Sequence, residues 1–177
     1  LIAALVGRDL SFGEGLEDLN EQLSLVAGIG NRLRDLGIAL PTPPKPVANY
    51  VPAKRAGPLL YVAGQVSSFG GRDYKGVLSC DADVARGREA AKASAINCLA
   101  AMLSTIESLD RVRQLVHVGG FVASAPGFQG QAAVVNGASD FFVDVFGEAG
   151  KHTRIALGVS SLPLDYTTSV YVIAEIE

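Results

Sequence analysis

The sequence predicts an α/β (α+β) protein, a mixed β-sheet with two long helices packed on one face. Three observations carry that prediction. Two stretches, Asp81 to about Ser108 and about Phe128 to Phe146, repeat apolar residues with a helical period. Short β-rich runs precede, separate and follow them. The 177 residues, 49% hydrophobic and 19% charged, supply one sizeable core. Strands separated by long helices imply a mixed sheet with both helices on one side, and the bare side then needs a cover.

In chain order, residues 1–14 are apolar and then punctuated by glycine, without a clear period. From Leu16 to Leu36, the residues Leu16, Leu19, Leu23, Val26, Ile29, Leu33 and Leu36 form the stripe of an amphipathic helix. Gly28 and Gly30 weaken it by about 1 kcal/mol each, and Gly37 closes it. Pro41-Thr42-Pro43-Pro44-Lys45-Pro46 is a stiff connector that cannot be helical. Residues 1–45 thus read as a helical extension with a Pro-rich connector, and 46–177 as the main domain. Asn49 to Lys54 and Leu59 to Val66 are strands joined by a turn at Ala56-Gly57-Pro58. After a loop at Gly70-Gly71, Tyr74–Leu78 is a further candidate strand. Asp81 or Asp83 caps the first long helix, whose stripe is Val84, Ala91, Ala95, Cys98, Met102 and Ile106. Arg113–Ala123 is a strand. The second helix turns Ala132, Val135, Ala138, Phe142 and Val145 inward, and Arg154–Val159 and Thr168–Ile176 close the chain as strands around Pro163.

Fifteen basic against eighteen acidic residues leave a net charge of −3, and the basic residues stand singly or in pairs. Nothing electrostatic points to a nucleic-acid partner. Cys80 and Cys98 lack CxxC spacing and a histidine cluster, so reduced thiols and a cytoplasmic location are expected. A targeting segment ahead of Leu1 stays open. No apolar run approaches the roughly 20 residues that span a bilayer, so no membrane partner is expected. The glycine pairs at 70–71 and 119–120 do not belong to a phosphate-binding loop, and no nucleophile-elbow pattern occurs.

Arg154 carries the strongest functional signal. Alternation places Arg154, Ala156 and Gly158 on one face of their strand and Ile155, Leu157 and Val159 on the other, which reads as core. A planar cation beside two very small residues leaves room for a small guest. A guanidinium fork suits a carboxylate, to which it donates two parallel hydrogen bonds. The alternative is an arginine at a strand end that simply reaches solvent.

From about Pro46 onward, several strings in order make a specific match. They are Ala48-Asn49-Tyr50-Val51-Pro52, Leu60-Tyr61-Val62-Ala63-Gly64-Gln65, Gly120-Phe121-Val122, Val135-Asn136-Gly137-Ala138-Ser139-Asp140, Phe146-Gly147-Glu148-Ala149-Gly150, and Arg154 through Leu162-Pro163. On these residues the chain resembles the YjgF/RidA family, also labelled endoribonuclease L-PSP, in a variant with an N-terminal helix. The resemblance implies a chorismate-mutase-like fold, a homotrimer that covers the bare sheet faces, and ligand clefts between subunits. It also implies cofactor-free and metal-free hydrolysis of reactive enamines and imines, such as 2-aminoacrylate, to 2-keto acids and ammonia. Arg154 matches the family's carboxylate-binding arginine. Tyr50 and Asn136 match a tyrosine and an asparagine near the cleft; each also has a structural reading, as an interface tyrosine and as a residue that links structure. The Gly64 backbone, with no Cβ in the way, is placed to approach a ligand.

The departures fall on the proton-transfer groups. Ser169 stands where many deaminases of the family carry an acid, and Tyr171 where a second acid often follows. Ala156 stands where many have cysteine, and Ala63 where serine or threonine is common. Ser169 can hold a water but is a poor base. His152, two residues before Arg154, is a candidate proton carrier, or else a solvated loop residue. His117 reads as a satisfied core or interface residue, and Glu175 and Glu177 as edge charges. Three functions are therefore weighed: an imine/enamine deaminase, a trimer that binds small carboxylates without turnover, and the less favoured ribonuclease.

Overall fold

The computed structural model describes residues 28–43 and 49–177. Five strands form one mixed sheet in the order β1-β2-β7-β5-β6: β1 (Ala53–Ala56), β2 (Leu59–Val66), β5 (Val112–Ala123), β6 (Thr153–Val159) and β7 (Thr168–Ile176). All neighbours are antiparallel except β5 and β6. Helices α2 (Val84–Met102) and α3 (Gln131–Phe146) both cover one face, α2 over β2 and β7, α3 over β5 and β6. The mixed α+β class and the one-sided placement of the helices are as the sequence predicts. The two-residue strands β3 (Ser68–Phe69) and β4 (Arg72–Asp73) form a separate hairpin around Gly70 and Gly71, both at positive φ.

The core lies between the helices and the sheet. On β7, Thr168, Val170, Val172, Ala174 and Ile176 point into it and are buried, while the alternate residues lie on the open face. Ala91, Ala95, Cys98 and Met102 of α2 are fully buried, as are Val135, Ala138, Phe142 and Val145 of α3. Ala132, expected among them, is exposed. Burial pushes the Cys98 thiol well above its usual range. The helices approach closely at Gly137, where a Cβ would strike the Arg88 carbonyl.

Several boundaries move. The helix predicted from Leu16 begins, in the described part, only at α1 (Ile29–Asp35), because Gly28 is extended (φ −47°, ψ 166°) and acts as its N-cap. Asp110 accepts the Ile29 N–H at 2.6 Å and so satisfies that end. The C-terminal end is a Schellman motif, with Gly37 at φ +69° and the Gly37 and Ile38 N–H groups bonded to the Arg34 and Leu33 carbonyls. Residues 1–27 and 44–48, with the start of the predicted helix and part of the connector, lie outside the described residues. The strand predicted over Asn49–Lys54 is β1, displaced to Ala53–Ala56; Gly57 (φ +61°) makes the turn into β2. Tyr74–Leu78 is not a strand: only the isolated bridges Lys75–Tyr166 and Leu78–Ser124 form there. The first long helix ends at Met102, not Ser108; Ile106 reaches the core from a turn. Asp83 does act at the start, accepting from the Ser79 and Cys80 backbone N–H groups, which hold its carboxyl down to about 2.

The faces of β6 reverse the expectation. Ile155 and Leu157 are 40% and 45% exposed on the open side, whereas Arg154, Ala156 and Gly158 face α3. The larger apolar residues of this strand lie on the side without helices, so alternation alone could not say which side meets them. Glu175 is not an edge charge either, because β7 is the central strand, and Glu177 lies one residue beyond its end. Glu175 accepts a hydrogen bond from Gln114, and Glu177 lies 3.8 Å from Arg113.

Candidate functional site

Arg154 leaves the margin of the sheet on β6 and is caught by α3. Its Nη1 donates to Asn136 Oδ1 at 2.7 Å and to Ser139 Oγ at 3.1 Å, and Nη2 donates to the Ala132 carbonyl at 3.4 Å. Asn136 and Ser139 are three residues apart on the helix and therefore share a face. They take up both N–H bonds of Nη1. Nε has no partner among the described residues, and Nη2 keeps one N–H. These two nitrogens form the side edge of the guanidinium, whose parallel N–H bonds match the two oxygens of a carboxylate.

Behind Arg154 a chain of hydrogen bonds continues. Ser139 Oγ lies 3.0 Å from His152 Nε2, and His152 Nδ1 lies 2.6 Å from the Gly150 carbonyl. Phe142 backs the imidazole edge-on at 5.9 Å between ring centroids. Burial lowers the proton affinity of His152, the charges of Arg154 and His117 lower it further, and only the Gly150 carbonyl opposes them. Ser139, Val143, Lys151, His152 and Arg154 line one open hollow of about 270 Å³. Serine, histidine and carbonyl in line are the local geometry of a nucleophile with its base. Ser139, however, sits inside α3, where the helix ladder consumes the backbone N–H groups and leaves no donor pair for an oxyanion. Its hydroxyl is a support for Arg154.

The space expected beside Ala156 and Gly158 is filled. A Cβ on Gly158 would meet Ser124 Oγ at 2.6 Å and Gln131 Nε2 at 2.8 Å, and Ala156 packs half-buried against the core. The room for a guest lies instead at the start of β6, toward Lys151 and His152.

The remaining sequence candidates lie elsewhere. Ser169 is on the open face beside Gly64, where a Cβ would come within 2.9 Å of its hydroxyl. On the same face the Tyr171 ring lies over Gly119, and its hydroxyl meets His117 Nε2 at 3.2 Å; His117 Nδ1 meets Thr153 Oγ1 at 2.9 Å. His117 is thus satisfied, as expected. Tyr50 is 52% exposed in a separate open hollow with Asn49, Val51 and Lys54. One chain therefore gathers Arg154, Asn136 and His152, and keeps Ser169, Gly64 and Tyr50 apart from them. Sequence reading missed Ser139; its place one helical step after Asn136 was the available signal. Among the described residues no group of three or more His, Cys, Asp or Glu could hold a metal ion, and no helix is long and apolar enough to cross a membrane.

The comparisons with known proteins agree with this architecture. Residues 30–176 match the family model described as "YjgF/chorismate_mutase-like, putative endoribonuclease". The protein TCP17 of Trypanosoma cruzi is 38% identical over 159 residues, covering 87% of this chain and 99% of TCP17. A crystal structure from Agrobacterium tumefaciens, of a protein of unknown function, is 38% identical with a TM-score of 0.78, over 90% of this chain and 99% of that one. Another, from Shewanella oneidensis and bearing the endoribonuclease label, is 29% identical with a TM-score of 0.79, over 84% and 99%. With its mixed sheet, its two helices on one side and its family match over nearly all described residues, the chain belongs to the YjgF/chorismate-mutase-like family.

Proposed function

We propose that the protein is a cofactor-free hydrolytic deaminase of reactive enamines and imines of 2-keto acids, with Arg154 as the clamp for the substrate carboxylate. The observation that carries this reading is the side edge of Arg154, without a partner among the described residues and held in place by Asn136, Ser139 and the Ala132 carbonyl. A guanidinium whose other N–H groups are already committed is pre-oriented, so less side-chain freedom is lost when a carboxylate docks.

The chemistry asks little more of the protein. A 2-imino acid is electrophilic at C2; water adds there, the nitrogen takes up protons, and the carbinolamine collapses to the 2-keto acid and ammonia. Holding the carboxylate fixes C2 relative to the attacking water and removes much of the entropic barrier. Ser169 is the group for holding that water, its hydroxyl packed beside the exposed Gly64 backbone. His152 takes part through Ser139, because its Nε2 is occupied by that hydroxyl. An open face bearing Tyr61, Val116, Ile155 and Leu157, each more than a third exposed, favours assembly into a homotrimer. A cleft between copies would also bring the Gly64–Ser169 face of one subunit, with Tyr50, to the Arg154 hollow of another.

A second reading rests on the same geometry. Ser169 replaces the acid that activates water in many deaminases of this family, which favours a trimer that captures small carboxylates or 2-keto acids without turning them over. The net charge of −3 weighs against a ribonuclease, because phosphate contacts dominate nucleic-acid affinity. Hydrolysis of freshly generated 2-aminoacrylate, compared between wild type and Arg154→Ala, separates the readings. Acceleration lost in the variant supports the deaminase; no acceleration, with Arg154-dependent binding of 2-keto acids, supports the binding protein.

A further inference from the structure

We infer that Ser139 and His152 are positioning residues for the Arg154 fork, and that they couple carboxylate binding to the uptake of one proton on His152. The inference rests on the reading of Arg154 as a carboxylate clamp and adds to it a residue and a linkage.

Hydrogen-bond direction fixes where the protons sit. The Gly150 carbonyl can only accept, so His152 Nδ1 carries the proton, and Nε2 of the neutral ring is an acceptor. The Ser139 hydroxyl, 3.0 Å from Nε2, must then donate to it, which leaves its oxygen to accept from Arg154 Nη1. In this state the hydroxyl proton is committed to His152 and is not offered to a ligand. Protonation of His152 reverses the bond: Nε2–H donates to Ser139 Oγ, which still accepts from Arg154, and the hydroxyl proton swings free. A carboxylate in the hollow then meets the side edge of Arg154, a third donor and the imidazolium charge.

The empty site opposes that state. Burial, Arg154 on β6 and His117 on β5 all disfavour the imidazolium. Lys151, which shares the hollow, is paired with Glu148 at 2.7 Å. Helix α3 turns Ser139 and Phe142 toward the ring, while its acidic residues Asp140 and Asp144 line a different hollow against α2. Among the described residues no carboxylate lines the Arg154 hollow itself. A bound anion supplies the missing negative charge, so it favours the protonated ring, and reciprocity requires that the protonated ring favour the anion.

Calorimetry with 2-oxobutyrate, whose carboxyl group stays ionised throughout, tests this from about pH 5.5 to about pH 7.5 in buffers of different ionisation enthalpy. Wild type is expected to bind about fivefold tighter at the acid end, drawing a proton from the buffer. His152→Gln is expected to give a flat profile, and Ser139→Ala weaker binding at every pH with a reduced slope. Arg154-dependent binding that is flat with pH in wild type overturns the coupling and leaves the clamp standing. Absence of Arg154-dependent binding overturns the clamp and the coupling with it. Without any ligand, nitrogen NMR of His152 near neutral pH must show the Nδ1–H tautomer; an Nε2–H tautomer overturns the positioning argument.

Discussion

Asn136 offers a sharp test of the clamp, because two substitutions there act on Arg154 in different ways. In Asn136→Ala, Nη1 loses its 2.7 Å acceptor and keeps only Ser139. The guanidinium retains its charge but not its orientation, and re-ordering a long side chain on binding costs about 0.5–1.5 kcal/mol. The dissociation constant for a 2-keto acid should rise about three- to tenfold. In Asn136→Asp the orientation survives, but a carboxylate now sits on the far side of the guanidinium from the ligand. Two negative charges on opposite edges of the guanidinium, in a medium of intermediate polarity, repel by about 1 kcal/mol, so binding should again weaken, here about fivefold. The two losses differ in salt dependence. Repulsion is screened as ionic strength rises, so the Asp variant should recover toward wild type in high salt while the Ala variant should not. Isothermal calorimetry at low and high salt reads both. If neither substitution moves the affinity while Arg154→Ala abolishes binding, α3 does not orient the fork and the preorganisation argument is wrong.

Other outcomes follow from the packing and the titratable groups. Gly137→Ala places a methyl group against the Arg88 carbonyl and should cost about 3 kcal/mol, seen as a lowered thermal midpoint. The folded state holds His152 below its reference value of 6.5, so the unfolded chain takes up that proton first. Stability should therefore decline as the pH falls below 6.5 and level off beneath the depressed value; thermal melts of His152→Gln should lack this component. Cys80 is exposed and Cys98 buried, so a thiol reagent should modify one cysteine in the native protein and the second only on unfolding. Leu157→Asp puts a charge on the open apolar face and should shift sedimentation toward the monomer, with little change in the monomer's own fold.

Much of the fold was legible because its signals are local. The runs Leu59–Val66 and Thr168–Ile176 are rich in β-forming residues and bounded by turns, and the structure has strands over those same spans. Gly37 closes α1 by a left-handed backbone that only glycine adopts readily. Failures occurred where a local pattern has two global solutions. Ile106 keeps the helical period, yet the helix stops at Met102 and the chain reaches Ile106 through turns. The apolar Ile155 and Leu157 suggested a core face, but they lie on the side without helices, which a single sequence cannot distinguish from the buried one. At the site, Arg154 was readable as a cation beside small residues, whereas its support was not. The contacts to Asn136 and Ser139 join β6 to α3 across a fold-level packing that strand alternation does not encode.

Strand β6 divides its labour residue by residue. Arg154 looks toward α3 and the hollow beside His152, while Ile155 and Leu157 lie on the open face. Because the period of a strand is two, inserting or deleting one residue just before Thr153 would exchange the two sets, burying hydrophobic groups where the guanidinium belongs and presenting the cation where apolar contact is needed. Point substitutions in this segment can damage recognition or association separately. A length change should destroy both at once, so the spacing from Gly150 to Arg154 is a stricter requirement on this protein than the identity of most residues within it.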